Sequence, residues 1–257
     1  MGEPLNRREE LDRRMHFLER RLKQAQRQWG LIGQGDRLLL GLSGGKDSTT
    51  LLHLLLRWSR NAAEKFELAA AHAQVRGADG NAERRELLEA QIDPLGVELF
   101  FVDMEPASAR LKPSGRHTSM CFRCAWNRRR ELFRLAGQRG FNKVAFAHHL
   151  DDAVQTTLMN LLFHGNLETM EPRVELFDGK ITLVRPLILA TEREIERVGT
   201  LLDTPFLACS CPPGIDTERD TARRFISSFG RRSRAVKSNL WRASRRWAAA
   251  GLIGERE

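Results

Sequence analysis

Arg37-Leu38-Leu39-Leu40-Gly41-Leu42-Ser43-Gly44-Gly45-Lys46-Asp47-Ser48 is the stretch on which the fold turns. The apolar run up to Leu42 reads as a buried strand, and Ser48-Thr49-Thr50-Leu51-Leu52 opens a helical pattern over 46–60. Between them Gly44 and Gly45 deliver backbone N–H groups at a helix N-terminus, where unsatisfied amides and the helix dipole favour a phosphate. The Walker A pattern needs a glycine, four further residues, Gly-Lys and then Ser or Thr. Here Leu40 stands where that first glycine belongs and Asp47 follows Lys46. The bland alternative is a Gly-rich strand-to-helix turn with Ser48 as a cap.

The same alternation continues outward from the loop. Further strand candidates cover 67–75, 98–102, 143–147 and 182–187, and helical patterns cover 81–90, 122–138, 151–163 and 191–202. Strand and helix in alternation imply an α/β fold, a Rossmann-like, mainly parallel sheet with helices on both faces and ligands at the carboxyl ends of its strands. Ahead of it, Leu11, Met15, Leu18, Leu22 and Ala25 recur at spacings of three and four, which predicts an amphipathic helix over 7–29 as a leading arm. Beyond Pro212 and Pro213 come two basic helical stretches, 216–229 and 236–250. The expected organisation is an arm over 1–33, a catalytic domain over 34–212 and a basic helical region over 213–257.

With 41% apolar and 29% charged residues in 257, the chain has a globular composition that excludes global disorder. It has no signal-peptide pattern and no apolar run of membrane-spanning length, so a cytoplasmic protein without membrane partners is expected. The net charge is +9, and residues 219–257 carry ten Arg and one Lys against Asp220, Glu255 and Glu257. Basic charge so concentrated suits a nucleic acid; the competing reading is a solvated helical surface.

Two further constellations carry chemistry. Residues 144–147 run as a buried strand into His148-His149-Leu150-Asp151-Asp152 and a helix. Two carboxylates in a first turn can simply cap it, but beside the loop Asp152 is placed to hold magnesium and Gln155 to meet substrate or nucleotide. His148 and His149 fit a base, a ligand or packing equally. The four cysteines form two pairs, Cys121-x-x-Cys124 and Cys209-x-Cys211. In a reducing compartment they read as ligands of one metal centre, tetrahedral zinc or an iron–sulfur cluster, against a reading as buried unliganded thiols.

Ser43-Gly-Gly-Lys-Asp-Ser48 resembles the PP-loop of the ATP pyrophosphatases, which split ATP into AMP and pyrophosphate. With Cys121-x-x-Cys124, Arg128-Arg129, His148-His149-x-Asp151-Asp152-x-x-Gln155, Val184-Arg185-Pro186-Leu187 and Glu192-Arg193-Glu194-Ile195, the chain resembles the tRNA 2-thiocytidine synthetase (TtcA) family over about residues 15–245.

That resemblance implies an enzyme that adenylates the C2 oxygen of an anticodon-loop cytidine and replaces it with sulfur. ATP would be held by Ser43, Gly44, Gly45, Lys46, Asp47, Ser48, Ala71, His72, His148, Asp152 and Gln155, with Lys46, Asp47 and Asp152 catalytic and Mg2+ assisting. A [4Fe–4S] cluster would be held by Cys121, Cys124 and Cys209, or Cys211 in its place, because the family's second pair is Cys-x-x-Cys and this one is shorter. Arg128, Arg129, Arg231, Arg232, Arg234, Lys237, Arg242, Arg245 and Arg246 would contact the tRNA, while Trp241 and Trp247 are expected to pack. The sulfur donor would be a cysteine desulfurase or free sulfide, and a homodimer is among the oligomeric states left open. The alternatives are a uridine thiolase, a lysidine synthetase-like ligase with a zinc site, and a non-catalytic RNA-binding protein.

Overall fold

The computed structural model describes residues 6–61, 65–106, 120–202, 205–207, 218–230 and 235–249. Among them six strands form one sheet: β1 (Arg37–Gly41), β2 (Glu67–Val75), β3 (Glu98–Met104), β4 (Lys143–Ala145), β5 (Arg173–Leu176) and β6 (Ile181–Val184), in spatial order β3-β2-β1-β4-β6-β5. All neighbours run parallel except the β5–β6 pair. The chain enters at β1, winds to one edge through β2 and β3, and returns to β4 on the other side. The winding therefore reverses between β1 and β4, where the crevice of such a sheet opens.

The expected α/β, Rossmann-like architecture is the one observed. Leu38, Leu39 and Leu40 are all fully buried; Leu38 and Leu40 belong to one apolar core and Leu39 to the other. A strand wrapped on both faces must be apolar at consecutive positions, which is why β1 shows no alternation. The face of Leu39 is covered by α4 (Met120–Arg139) through Leu132, Leu135 and Ala136. The other is covered by α2 (Lys46–Asn61), α3 (Asn81–Ile92), α5 (Leu150–His164) and α6 (Glu192–Leu202).

α1 (Arg7–Trp29), expected as an arm, lies in that second core with Met15, Leu18, Leu22 and Ala25 buried. Its start is fixed by a capping box in which Asn6 Oδ1 accepts from the Glu9 amide and Glu9 Oε2 from the Asn6 amide, both at 3.0 Å. The C-terminal helices α7 (Glu218–Gly230) and α8 (Val236–Ala249) join the same core through Ala222, Ile226 and Trp241, the last meeting Trp29 edge-to-face at 6.4 Å. Trp241 thus packs as expected, whereas Trp247 is 40% exposed. The boundary expected near residue 213 lies outside the described residues.

β5 was not anticipated from the sequence. It is an edge strand of alternating polar and apolar residues joined to β6 by Phe177 and Asp178, both at positive φ, Gly179 and Lys180. Among the described residues, no helix is long and apolar enough to cross a membrane.

Candidate active site

A cavity of about 450 Å³ opens over the carboxyl ends of β1, β2 and β4. Its lining includes Ser43, Gly45, Asp47 and Ser48 of the loop, Ala71, His72 and Gln74 of β2, Cys124, Arg128 and Arg129 of α4, and His148 and Asp152 at the start of α5. The phosphate loop and one cysteine of the first pair therefore face a single space.

The loop is closed on itself. The Ser48 hydroxyl donates to the Gly45 carbonyl at 3.1 Å, so the Ser43 hydroxyl, 2.9 Å from Ser48 Oγ, is left to donate to it. Ser48 Oγ also accepts from the Ser43 amide at 3.1 Å and Ser43 Oγ from the Gly45 amide at 3.2 Å. A phosphate arriving at the N-terminus of α2 would replace serine oxygens as the acceptor for these amides. Gly44 sits at φ +78°, and a Cβ there would come within 2.6 Å of the Leu207 side chain.

Lys46 Nζ lies 3.3 Å from Glu192 Oε1 and 3.5 Å from Asp47 Oδ1. Burial works against its charge, but Asp47 and Glu192 more than offset it and raise its pKa. Asp47 Oδ1 is buried and has no hydrogen-bond partner among the described residues. Burial holds the Asp47 carboxyl above the usual range; His149 and Lys46 oppose that shift and Asp152 adds to it. Two carboxylates, one of them underprovided with donors, are a donor set that suits a magnesium ion. His72 Nδ1 is 2.8 Å from the Leu42 carbonyl, so that nitrogen carries the proton and Nε2 is an acceptor. Burial, only partly offset by this bond, lowers the His72 pKa and keeps the ring neutral.

At the second turn, Asp152 Oδ2 accepts from the His149 amide at 3.1 Å and caps α5. Its other oxygen accepts from Arg219 at 2.6 Å, and the same guanidinium donates to Gln155 Oε1 at 3.0 Å. Asp151, whose role the sequence left open, is 4% exposed; it accepts from the Glu192 amide at 2.8 Å, capping α6, and from Lys237 of α8. The two adjacent carboxylates thus divide the work: Asp152 faces the cavity and Asp151 fastens α6 and α8. His148 is half-buried at the cavity, with its pKa driven well below the usual value by desolvation of the ring and by Arg185, Arg129 and Arg219. Arg185 in turn is pushed down to about 10 by burial and by Arg129. Arg185 and Arg219 are not singled out from the sequence as site residues; Arg185 stands within a stretch that resembles the family, and Arg219 only within the basic C-terminal region.

Cys124 is half-buried and lines the cavity. Cys121 lies three positions earlier in α4, and its side chain is outside the described residues, as are Cys209 and Cys211. Of the expected RNA contacts, Arg231, Arg232 and Arg234 also lie outside them. Arg128 and Arg129 line the cavity, and Arg242 and Arg246 are exposed on α8. Lys237 is committed to Asp151, while Arg245 pairs with Glu171 and lies over the Trp29 and Trp241 rings.

The sequence matches the PP-loop domain family over residues 15–227. It is 35% identical over 233 residues to a tRNA-cytidine(32) 2-sulfurtransferase of Anaeromyxobacter sp. (strain Fw109-5), covering 88% of this chain and 75% of that one. It is 35% identical over 217 residues to a protein of the same name from Geobacter sulfurreducens, covering 84% and 83% of the two chains. The fold is similar to that of the U34-tRNA thiolase NcsA from Methanococcus maripaludis, solved with its [4Fe-4S] cluster, with a TM-score of 0.74 at 18% identity over 92% of this chain and 79% of that one. A Gly-rich turn at the N-terminus of α2, set at the switch point of such a sheet, agrees with these likenesses: the chain belongs to the PP-loop ATP pyrophosphatases and, within them, to the tRNA 2-thiocytidine synthetase family.

Proposed function

We propose that the protein is an ATP-dependent tRNA sulfurtransferase that replaces the C2 oxygen of a cytidine in the anticodon loop with sulfur. The observation that carries this reading is the shared cavity: Ser43, Asp47 and Ser48 line it together with Cys124. An activated base and a sulfur bound at a thiolate-held centre can meet only if both sites open onto one space.

The C2 oxygen attacks the α-phosphorus of ATP, the bond to the β-phosphate breaks, and pyrophosphate leaves. Lys46 and the amides of the loop hold the β- and γ-phosphates and take up the charge that develops on them. Asp47 and Asp152 would hold magnesium, and Arg219 would release Asp152 and Gln155 as it binds. Sulfur then adds at C2 and AMP departs with the oxygen, which is a far better leaving group than the oxygen alone. Cys121 and Cys124, with Cys209 or Cys211, would hold the iron–sulfur cluster, whose chemistry is to present that sulfur. Arg128 and Arg129 at the cavity, and Arg242 and Arg246 on α8, would neutralise tRNA phosphates and fix its position without reading sequence.

The test is oxygen-free purification with metal analysis, then incubation with unmodified tRNA, ATP and sulfide, and mass spectrometry of the nucleosides. A 2-thiocytidine supports the proposal, and a thiouridine moves the substrate to another base. Zinc without iron turns the reading toward a ligase. An intact cluster with no thionucleoside overturns it.

A further inference from the structure

We propose that Trp126, with Arg130 laid across its indole, is a stacking shelf for a nucleobase of the tRNA loop beside the target residue. This rests on the function proposed above.

α4 carries two faces with different tasks. Cys124, Ala125, Arg128, Arg129 and Leu132 line the cavity. At about 100° per residue, positions 122, 126 and 130 form the neighbouring stripe, adjoining Arg129 at the cavity lip. On that stripe Trp126 is 53% and Phe122 57% exposed. A large ring left half in water outside a cavity mouth is the kind of surface that a partner covers.

The shelf is held in place. The Arg130 guanidinium lies 5.4 Å from the centroid of the Trp126 ring. It is fixed there by two hydrogen bonds to Glu131 Oε1, at 2.9 and 3.1 Å, while Arg134 donates to Glu131 Oε2 at 2.7 Å. Glu131 is thereby fully engaged, and its carboxyl is held below the usual range by those two arginines against the effect of burial. A cation fixed beside the ring strengthens its attraction for an electron-rich planar group.

Charge decides the partner. α4 has Arg123, Arg128, Arg129, Arg130, Arg134 and Arg139 against Glu131 alone. Of these, Arg123, Arg130 and Arg134 lie within about 80° of Trp126 round the helix, a net positive face even with Glu131, so a second copy set against it would meet like charge. A polyanion that also offers unstacked planar bases fits both the charge and the ring, and a single-stranded RNA loop is that ligand, whereas a duplex offers phosphates with its bases covered. Round α4 Trp126 lies about 160° from Cys124 but only about 60° from Arg129 at the cavity lip, so a base stacked on it would flank the cavity on its Arg129 side.

The test uses the full-length protein, an unmodified anticodon stem-loop hairpin and a blunt RNA duplex of equal length, titrated at several salt concentrations. Trp126→Ala is expected to weaken hairpin binding roughly ten-fold, to leave duplex binding unchanged, and to leave the salt slope unchanged because no phosphate contact is lost. Trp126→Phe keeps a ring and should bind within a few-fold of wild type, but should lack the part of the tryptophan quenching that Trp126 contributes when the hairpin binds. That second readout stands even if the alanine variant loses its melting transition. Equal losses for hairpin and duplex, unchanged hairpin binding by Trp126→Ala, or a wild-type dimer that Trp126→Ala dissociates would each overturn the shelf. Wild-type protein that binds no tRNA hairpin at all would instead remove the function on which it rests.

Discussion

The Leu207 amide donates to the Gly44 carbonyl at 2.9 Å, so the segment 205–207 is pinned to the phosphate loop by a main-chain bond. Two positions further along the sequence stands Cys209. The loop that would hold pyrophosphate and the segment leading to the second cysteine pair therefore share one anchor. Gly44→Ala tests this anchor. It forces a β-carbon into the Leu207 side chain and a non-glycine residue into φ +78°, a combination that costs about 1–3 kcal/mol. We expect weaker ATP binding by calorimetry together with a lower melting temperature. Leu207→Ala added to Gly44→Ala should recover the part of the loss that is steric and leave the backbone part. No recovery would mean that the side-chain clash is not the cause.

Asp47 is expected to trade stability for function. Its Oδ1 is buried and accepts no hydrogen bond among the described residues, with the Lys46 ammonium 3.5 Å away, and burial outweighs that charge and raises its pKa. With the folded value above the unfolded one, the charged group costs stability at neutral pH, and that cost fades as pH falls through the folded pKa. Asp47→Asn removes the charge, and at about 1 kcal/mol it should raise the melting temperature by roughly 2–4 °C. The same variant should lose tRNA-dependent pyrophosphate release. A variant that melts lower than wild type would show that the carboxylate is satisfied in solution.

Much of this site was legible because its chemistry is local in sequence. Ser43, Gly44, Gly45, Lys46 and Ser48 occupy one turn, and the apolar run before them announced a central strand of a doubly covered sheet. The rest depends on partners that are distant along the chain. Asp151 and Asp152 look alike in sequence, and only the arrival of Glu192, Lys237 and Arg219 separates a fastener from a cavity carboxylate. Lys237 reads as one more basic residue of a tail until its partner is seen. β5 escaped for another reason: as an edge strand it alternates polar and apolar residues, so a search for buried apolar runs passes over it.

The C-terminal charges should therefore fall into two groups. Lys237→Ala leaves Asp151 buried with one partner fewer, and because the lysine is 38% exposed the expected cost is about 1–2 kcal/mol of stability. Arg242→Ala and Arg246→Ala change exposed residues and should leave the melting temperature alone. Each should instead reduce the slope of log affinity for tRNA against log salt by about 0.7–0.9. Denaturant midpoints and salt titrations on the same three variants check the division. A Lys237→Ala variant with normal stability and a reduced salt slope would return Lys237 to the RNA-facing set.

His148 supplies a prediction in pH. The residue is half-buried at the cavity, its Nδ1 is buried with no hydrogen-bond partner among the described residues, and desolvation together with Arg185, Arg129 and Arg219 holds its pKa well below the ordinary value. The unfolded chain takes up a proton near pH 6.5, whereas the folded chain resists it. The stability that depends on a neutral His148 is therefore complete above about pH 6.5 and is lost as pH falls toward the folded value. His148→Gln cannot titrate, so its urea midpoint should decline less between pH 7 and pH 5 than that of wild type, at an unchanged m-value. Some slope must remain, because His53 and His72 are also depressed by burial. His72→Gln is the matched control: it also removes one depressed imidazole, but not the one surrounded by three guanidiniums, so its effect on the slope should be smaller. If His148→Gln and wild type decline in parallel, His148 takes up its proton in the folded state as freely as in the unfolded one. The arginines would then not be crowding it, and the positive wall of the cavity would have to be placed elsewhere.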